Sequence, residues 1–168
     1  MHDLIEDMLA YSRMERSALE KRTLDLQALV RSVVESRRDT LAEDMTVRED
    51  VPPLEIRADR DGLTLVLRNL LENALKFSKG TPRAEVEVGA RDTGTALRLW
   101  VRDHGIGFDM KYHDRIFEIF QRLHRAEDFP GTGVGLALVK KAVTRMGGKV
   151  WAESRPGEGA VFYIEFPL

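Results

Sequence analysis

Hydrophobic residues recur at helical spacing in four stretches of the chain. The first, near the N-terminus, has a narrow apolar stripe and a highly charged rim, so we expect a helix that needs a partner to cover it. The second begins after the capping residues Thr23 and Asp25, the third begins after Asp59, and the fourth ends at the glycine pair 147–148. The apolar stripes comprise, helix by helix, Leu4, Ile5, Met8, Leu9 and Tyr11; Leu26, Leu29, Val30, Val33 and Val34; Leu63, Val66, Leu67, Leu70, Leu71 and Ala74; and Leu136, Val139, Val143 and Met146. Those of the second, third and fourth helices are expected to face inward.

In other stretches hydrophobic and polar residues alternate with a period of two, which is typical of strands. The stretches "AEVEVGA" (84–90) and "LRLWVRD" (97–103) predict a hairpin turned by "DTG" (92–94), and "KVWAES" and "AVFYIEF" predict another around "RPGEG". The prolines of "VPPLEI" (51–56) indicate an extended connection, and residues 110–125 indicate short helical turns. This order predicts an α+β fold, a two-layer α/β sandwich in which helices cover one face of a mixed, largely antiparallel sheet, preceded by an N-terminal helix.

Composition narrows the class of protein. The chain has 168 residues, 43% hydrophobic and 32% charged, which is typical of one soluble globular domain. A net charge of -2 gives no indication of a nucleic-acid partner, and the lack of cysteine excludes disulfides and cysteine-ligated zinc. No apolar run approaches the roughly 20 residues of a membrane span, and the acidic start "MHDLIEDMLA" is unlike a signal peptide. We therefore expect a cytoplasmic protein without a direct membrane span.

Asp103 combines a charge with a predicted buried position. The apolar residues of "LRLWVRD" share one face of the strand, and Asp103 continues that face. A buried carboxylate is costly unless hydrogen bonds are donated to it, and the "HGIG" that follows would let a ligand approach the backbone closely. Such a site suits a flat, amine-bearing ligand such as adenine. A turn-capping aspartate in a glycine-rich loop explains this stretch about equally well.

Asn69, Asn73 and Lys76 follow one another at i, i+4 and i+7, so they form one polar line on the third predicted helix. The side chain of Asn73 is a neutral oxygen ligand suited to Mg²⁺ that already carries phosphate charge, and Lys76 could neutralise phosphate one turn further on. The alternative is an ordinary solvated helix face. It is weakly disfavoured because two asparagines lower helix propensity.

The glycine-rich stretch "GTGVGLALVKK" (131–141) opens the fourth predicted helix. Its glycines do not have the G-x-G-x-x-G spacing of a dinucleotide-binding loop, and the charged residues before them do not form a buried strand. The chain contains no Walker A sequence either. The stretch is therefore interpreted as a loop that leads into the N-terminus of a helix, where free amide groups and the helix dipole favour phosphate binding.

Five motifs in order resemble the ATP-binding domain of sensor histidine kinases. "NLLENALKF", "DHGIGFD", "RIFEIFQRLH", "GTGVGLALVK" and "GEGAVF" are similar to the N, G1, F, G2 and G3 boxes of that family, which also includes gyrase, Hsp90 and MutL-type ATPases. The resemblance covers about residues 22–168 and implies the Bergerat-type version of the sandwich. "LIEDMLAYSRM" resembles the second helix of a dimerisation and histidine phosphotransfer domain, so residues 1–21 would be a remnant of that domain and 22–168 the catalytic domain. The run from 120 to 141 is most similar to kinases attached to phytochrome-type photoreceptors.

The resemblance implies ATP and Mg²⁺ as cofactors and gives the matching residues roles around the phosphates. Asn73 would hold Mg²⁺, and Asn69 would contact phosphate or a metal-bound water. Lys76 would contact phosphate, and Arg122, which closes the F box, would reach the γ-phosphate.

The same resemblance implies an adenine site and a lid. Asp103 would accept a hydrogen bond from the adenine amino group, with Gly105 and Gly107 beside it. Ala160 stands where the third glycine box usually has threonine, and we expect little effect on nucleotide binding from this departure. The lid, its helix start and the aromatic residues that anchor it would be formed by Phe117, Phe120, Gly131, Gly133, Gly135 and Leu136.

The phosphate-accepting histidine of the family has no counterpart that we recognise. "HDLIED" begins like an acceptor box, but it runs directly into the second-helix sequence, so we interpret His2 as incidental. We expect His104 and His124 to make local contacts and His113 to be a solvated surface residue. The resemblance then implies that the module transfers the γ-phosphate of ATP to a histidine on a dimerisation domain missing from this chain.

The resemblance also implies partners. They are the dimerisation and phosphoacceptor domain of the same kinase and a response regulator. The full-length kinase would be a homodimer through a four-helix bundle, whereas this chain, with one of the two helices, is expected to be a monomer or a weak, non-native dimer.

Two other functions remain open at this point. An anti-sigma-factor Ser/Thr kinase has the same fold, but it has no reason to keep a dimerisation helix. An interaction module with a degenerate, inactive nucleotide site is disfavoured because the polar line, Asp103 and the glycines are all present.

Overall fold

Four helices and seven strands make up the described part of the chain, which in this computed structural model comprises residues 2–16, 18–41, 45–78, 80–82, 84–118 and 135–167. In chain order these elements are α1 (His2–Arg16), β1 (Lys21–Asp25), α2 (Leu26–Glu35), β2 (Thr46–Asp50), β3 (Glu55–Asp59), α3 (Arg60–Ser78), β4 (Glu85–Asp92), β5 (Ala96–Asp103), α4 (Gly135–Arg145), β6 (Lys149–Ser154) and β7 (Ala160–Pro167). Short 3₁₀ turns occupy Arg38–Thr40, Met110–Tyr112 and Arg115–Phe117. All four predicted helices and both predicted hairpins are therefore present.

Five of the strands form one sheet in the order β2-β4-β5-β7-β6. β2 runs parallel to β4, and the other neighbours are antiparallel, which confirms the mixed, largely antiparallel sheet. β1 and β3 pair separately, with Leu24 opposite Ile56. The interpretation of "VPPLEI" as a connection is wrong from Glu55 onward, because that residue begins β3. No hydrophobic pattern predicts β1, β2 or β3 as strands, since each has only five residues and is defined by a distant partner.

Helices α2, α3 and α4 cover one face of the sheet and enclose the core. Every inward-facing residue predicted for α2 and α3 is buried. In α4 the prediction is confirmed for Val139, Val143 and Met146, whereas Leu136 is half-buried in the first turn. Asp25 caps α2 as predicted, because its side chain accepts a hydrogen bond from the Ala28 N–H at 3.1 Å.

The other face of the sheet carries paired charges. Arg48 of β2 forms an ion pair with Glu87 of β4, and the indole Nε1 of Trp100 donates to the same carboxylate at 3.1 Å. Burial alone would raise the pKa of Glu87, but the hydrogen bonds from Arg48 and Trp100 lower it overall. A side chain at Gly89 would lie 2.2 Å from the Trp100 ring, so the absence of a side chain there lets the indole cover β4.

Helix α1 packs against α4 through only part of its apolar surface. Met14 is buried, and Lys141 of α4 lies 4.9 Å from the ring centroid of Tyr11 and 2.7 Å from a carboxylate oxygen of Glu15. Three side chains of the predicted stripe are exposed, namely Ile5, Met8 and Leu9. No described helix, α1 included, has both the length and the apolar character that crossing a membrane requires.

Candidate nucleotide site

One end of the candidate site, here called the base end, consists of Asp103, the loop 104–108 and the turn 155–159. Asp103 is the last residue of β5 and is only 4% exposed, as its position in the strand predicted. Its carboxyl group accepts hydrogen bonds from the N–H of Gly105, at 2.9 Å, and from the N–H of Ala160. Burial raises the pKa of Asp103 to about 6, although the two N–H groups oppose this rise. Among the described residues it is a deeply buried carboxylate that still has lone pairs available.

Gly105 and Gly107 are required by close contacts with neighbouring backbone. A Cβ atom at Gly105 would lie 2.1 Å from the carbonyl oxygen of Phe77, and one at Gly107 would lie 2.1 Å from that of Arg155. Gly107 also has a φ of 66°, which favours glycine. Protein backbone therefore occupies the space that a side chain would need at either position. Contact between this loop and a nucleotide stays a prediction.

The loop 104–108 and the turn 155–159 are interlocked through their backbones. A Cβ atom at Gly159, whose φ is 85°, would lie 2.2 Å from the carbonyl oxygen of Asp103. The N–H of Gly157 donates to the carbonyl of Ile106 at 2.7 Å. The hydroxyl group of Ser154 forms hydrogen bonds with both segments, although Ser154 is not among the predicted site residues. The hairpin pattern could have indicated it, because the register places Ser154 opposite Ala160, next to Asp103.

The other end of the site, here called the phosphate end, consists of Asn69, Asn73 and Lys76 on α3 and the first turn of α4. All three side chains are half-buried. The Nδ2 of Asn69 donates to the carbonyl of Leu65 at 2.9 Å, and a Cβ atom at Gly135 would lie 3.1 Å from the Oδ1 of Asn69. The structure therefore brings Asn69, the first residue of the predicted polar line, next to the N-terminus of α4, where backbone N–H groups lack partners within the helix.

The phosphate end fits a cation that brings its own anionic ligands. Among the residues that the structure describes, no group of three or more His, Cys, Asp or Glu side chains could hold a metal ion. A metal at this end would instead rely on the carboxamide oxygen of Asn73 and on phosphate oxygens. This donor set is compatible with Mg²⁺, which is commonly held by one or two protein ligands together with substrate phosphates.

Phe117 and His113 hold the 3₁₀ turns against the sheet. The ring of Phe117 is buried and meets that of Phe162 edge-on, with centroids 6.1 Å apart. The prediction that His113 is a solvated surface residue is wrong. Its Nε2 lies 3.0 Å from the N–H of Ala152 on the edge strand β6, and its Nδ1 lies 3.2 Å from Asp114. Because Nε2 accepts from a backbone N–H, the proton of a neutral ring is on Nδ1.

Several predicted residues lie outside the part of the chain that the structure describes. They are Phe120, Arg122, His124, Gly131 and Gly133. The side chain of His2 is not described either, whereas His104 is half-buried directly after Asp103.

Both the sequence and the fold of the chain match known proteins. The family described as histidine kinase-, DNA gyrase B-, and HSP90-like ATPase matches residues 58–168. Cyanobacterial phytochrome A of Nostoc sp. is 35% identical over 168 residues, which are 100% of this chain and 22% of that protein. The sensor protein kinase WalK of Staphylococcus aureus is 31% identical over 170 residues, covering 98% of this chain and 41% of the kinase.

Solved structures agree with the sequence matches. Full-length ShkA in complex with AMPPNP superposes with a TM-score of 0.83 at 30% identity, over 96% of this chain and 34% of ShkA. The catalytic domain of histidine kinase ThkA superposes with a TM-score of 0.73 at 27% identity, over 88% of this chain and 95% of that domain. The chain thus has nearly the extent of an isolated kinase catalytic domain and spans about a fifth (22%) of the phytochrome that it matches.

Proposed function

Because the chain belongs to the histidine kinase-, DNA gyrase B- and HSP90-like ATPase family and is a histidine kinase catalytic ATP-binding domain, we propose that it transfers the γ-phosphate of ATP to a histidine on a dimerisation domain. The observation that best supports a specific site is the buried carboxylate of Asp103 next to an interlocked glycine loop.

At the base end, Asp103 accepts a hydrogen bond from the adenine amino group. Two backbone N–H groups occupy part of the carboxylate's acceptor capacity, and an ionised carboxylate can accept more than two hydrogen bonds. A buried acceptor with an unused lone pair is costly, so a ligand N–H₂ group that reaches it is recognised strongly. This preference selects a base with an amino group at that position.

At the phosphate end, Asn73 holds Mg²⁺, which neutralises phosphate charge when bound. Asn69 contacts phosphate or a metal-bound water, and Lys76 contacts phosphate. The N-terminus of α4 contributes backbone N–H groups and the positive end of its dipole, because its first residue, Gly135, lies against Asn69. Together these groups position the triphosphate and stabilise its charge, which is most of what phosphoryl transfer requires from a protein.

The acceptor histidine lies on a dimerisation domain of the same kinase, and a response regulator then takes the phosphate. Residues 1–21 correspond to part of the dimerisation domain, which fits the exposed apolar side chains on α1. The chain by itself is proposed to be a monomer in the cytoplasm. The matches to sensor kinases and phytochromes give no support to the anti-sigma-factor alternative.

The proposal is tested with radiolabelled ATP and Mg²⁺. We expect no stable label on the chain alone and weak, acid-labile label on a separate helical hairpin that carries an acceptor histidine. Transfer is weak because the tether that raises the local concentration is absent. Acid-labile label on the chain alone that disappears in His2→Ala would show that "HDLIED" is an acceptor box. Acid-stable label on a serine-bearing antagonist protein would favour the anti-sigma-factor function.

A further inference from the structure

The hydroxyl group of Ser154 joins the two segments of the base end. Its Oγ accepts a hydrogen bond from the Phe108 N–H at 2.8 Å and donates one to the Gly159 carbonyl at 2.6 Å. The first bond fixes the end of the loop 104–108, and the second fixes the end of the turn 155–159. A single half-buried side chain therefore connects both segments that surround Asp103.

The Gly159 carbonyl and the Ala160 N–H belong to the same peptide unit. Its carbonyl accepts from Ser154, while its N–H donates to the carboxyl group of Asp103. Because the unit is planar, fixing the direction of the carbonyl also fixes the direction of the N–H. A hydrogen bond accepted at the carbonyl also polarises the peptide and strengthens its N–H as a donor.

We propose that Ser154 is a positioning residue for adenine recognition, which holds the Gly159–Ala160 peptide in the orientation that supports the Asp103 carboxylate. The proposal rests on the proposed function, in which Asp103 accepts from the adenine amino group. Ser154 contacts no ligand in this arrangement, since it acts through the peptide.

The ionisation of Asp103 reports directly on this peptide. Burial raises its pKa to about 6, and the N–H groups of Gly105 and Ala160 lower it, so a weaker Ala160 donor should raise it further. Titratable groups on the surrounding elements are Lys76 on α3, Glu85 and Glu87 on β4, Arg102 on β5, His104 in the loop, and Arg155 and Glu158 in the turn. Glu85 and Glu87 are near Arg48 on the other face of the sheet, and Arg155 lies 4.0 Å from Glu158.

The direct test is an NMR titration of the Asp103 side-chain carbon in the nucleotide-free chain. In Ser154→Ala we expect the midpoint to rise above that of the wild type. Ser154→Thr keeps the hydroxyl group and should keep the midpoint. Ser36→Ala is the matched control, because the Ser36 Oγ also donates to a carbonyl at 2.6 Å, that of Val33, but at the end of α2. A midpoint unchanged in Ser154→Ala, even with a lower melting temperature, would overturn the proposal and make Ser154 merely structural.

A second measurement separates this proposal from the proposed function. ATP affinity at pH 7.5 should fall about three- to tenfold in Ser154→Ala, which corresponds to the free energy of one hydrogen bond. Ser154→Ala should cause no further loss when it is added to Asp103→Asn, because Ser154 acts only through the Asp103 carboxylate. If Asp103→Asn binds ATP as tightly as the wild type, the adenine assignment is wrong, while the NMR titration still tests the link to the peptide. If Asp103→Asn weakens binding but Ser154→Ala does not, Ser154 has no positioning role.

Discussion

The two ends of the nucleotide site are built from different parts of the protein. The base end is formed by close contacts between two backbone segments. Gly107 and Gly159 let the loop and the turn approach each other so closely that a Cβ atom would not fit at either position. At the phosphate end, three half-buried side chains project from one helix, and the described contacts of Asn69 are one hydrogen bond and the proximity of Gly135. In the proposed site, base recognition is therefore set by backbone contacts between a loop and a turn, whereas phosphate recognition depends on side chains of a single helix.

The largest expected effect is on phosphotransfer, from a substitution at the phosphate end. Asn73→Ala removes the proposed metal ligand but no core contact, so phosphotransfer to a supplied hairpin should fall about a hundredfold or more. The melting temperature should stay close to that of the wild type. Transfer rates measured over a range of Mg²⁺ concentrations test this, with Arg68→Gln, on an exposed part of the same helix, as the control. An unchanged Mg²⁺ dependence would mean that Asn73 is a surface residue only.

Next in size is the cost of a side chain at the base end. Gly159→Ala introduces a Cβ atom 2.2 Å from a backbone oxygen at a φ of 85°, so we expect a loss of roughly 3 kcal/mol or more in unfolding free energy, together with weaker ATP binding. Gly94→Ala is the matched control, since Gly94 has a φ of 95° but has no atom within 4 Å of the added Cβ.

Urea unfolding of both variants separates the cost of backbone strain from the cost of the steric clash. Gly94→Ala should lower the unfolding free energy by only about 1 kcal/mol, because alanine is strained at a positive φ. Equal losses in the two variants would show that the base end is not tightly interlocked.

Removal of the buried carboxylate should have a smaller effect. Asp103→Ala leaves the adenine amino group without its acceptor, so ATP binding should weaken by about 1–3 kcal/mol. Calorimetric titration measures this loss. An affinity equal to that of the wild type would exclude Asp103 as the adenine acceptor and would remove the chemical basis of the comparison.

The same carboxyl group predicts two pH dependences of opposite sign. Its pKa rises from 3.8 to about 6 on folding, so the folded state binds the proton more tightly. The stability that this carboxyl group contributes is therefore fully present below about pH 4. It is lost as the pH rises through about 6, and the loss is on the order of 2–3 kcal/mol of unfolding free energy. ATP binding should instead strengthen over that range, because the ionised form is the better acceptor.

Urea unfolding of the wild type and of Asp103→Asn, at a series of pH values between 4 and 7, isolates this contribution. Asparagine is neutral throughout, so the stability difference between the two proteins should follow the titration of Asp103. A difference that does not vary with pH would contradict the assigned pKa.

The smallest effect should come from His113, at the edge of the sheet. His113→Ala removes the acceptor for the Ala152 N–H and should lower the unfolding free energy by about 0.5–1.5 kcal/mol. His113→Gln offers a carbonyl oxygen in its place and should recover part of the loss. The absence of any change in His113→Ala would restore the original interpretation of His113 as a solvated residue.

The sequence by itself determined the features that depend on local periodicity. Helical spacing marked the buried faces of α2 and α3, strand alternation placed Asp103 in the interior, and the order of the five motifs identified the family. These signals lie within single elements, where a residue's face follows from its position alone.

Only the tertiary structure decided which elements meet. β1 pairs with β3 and β2 joins β4 in parallel across about 30 residues or more of chain, and neither pairing leaves a local signal. The same holds for His113, which reaches β6 from a distant turn, and for Gly105 and Gly107, whose missing side chains make room for protein backbone. Such contacts depend on how strands and loops are brought together, so they become visible only when the chain is folded.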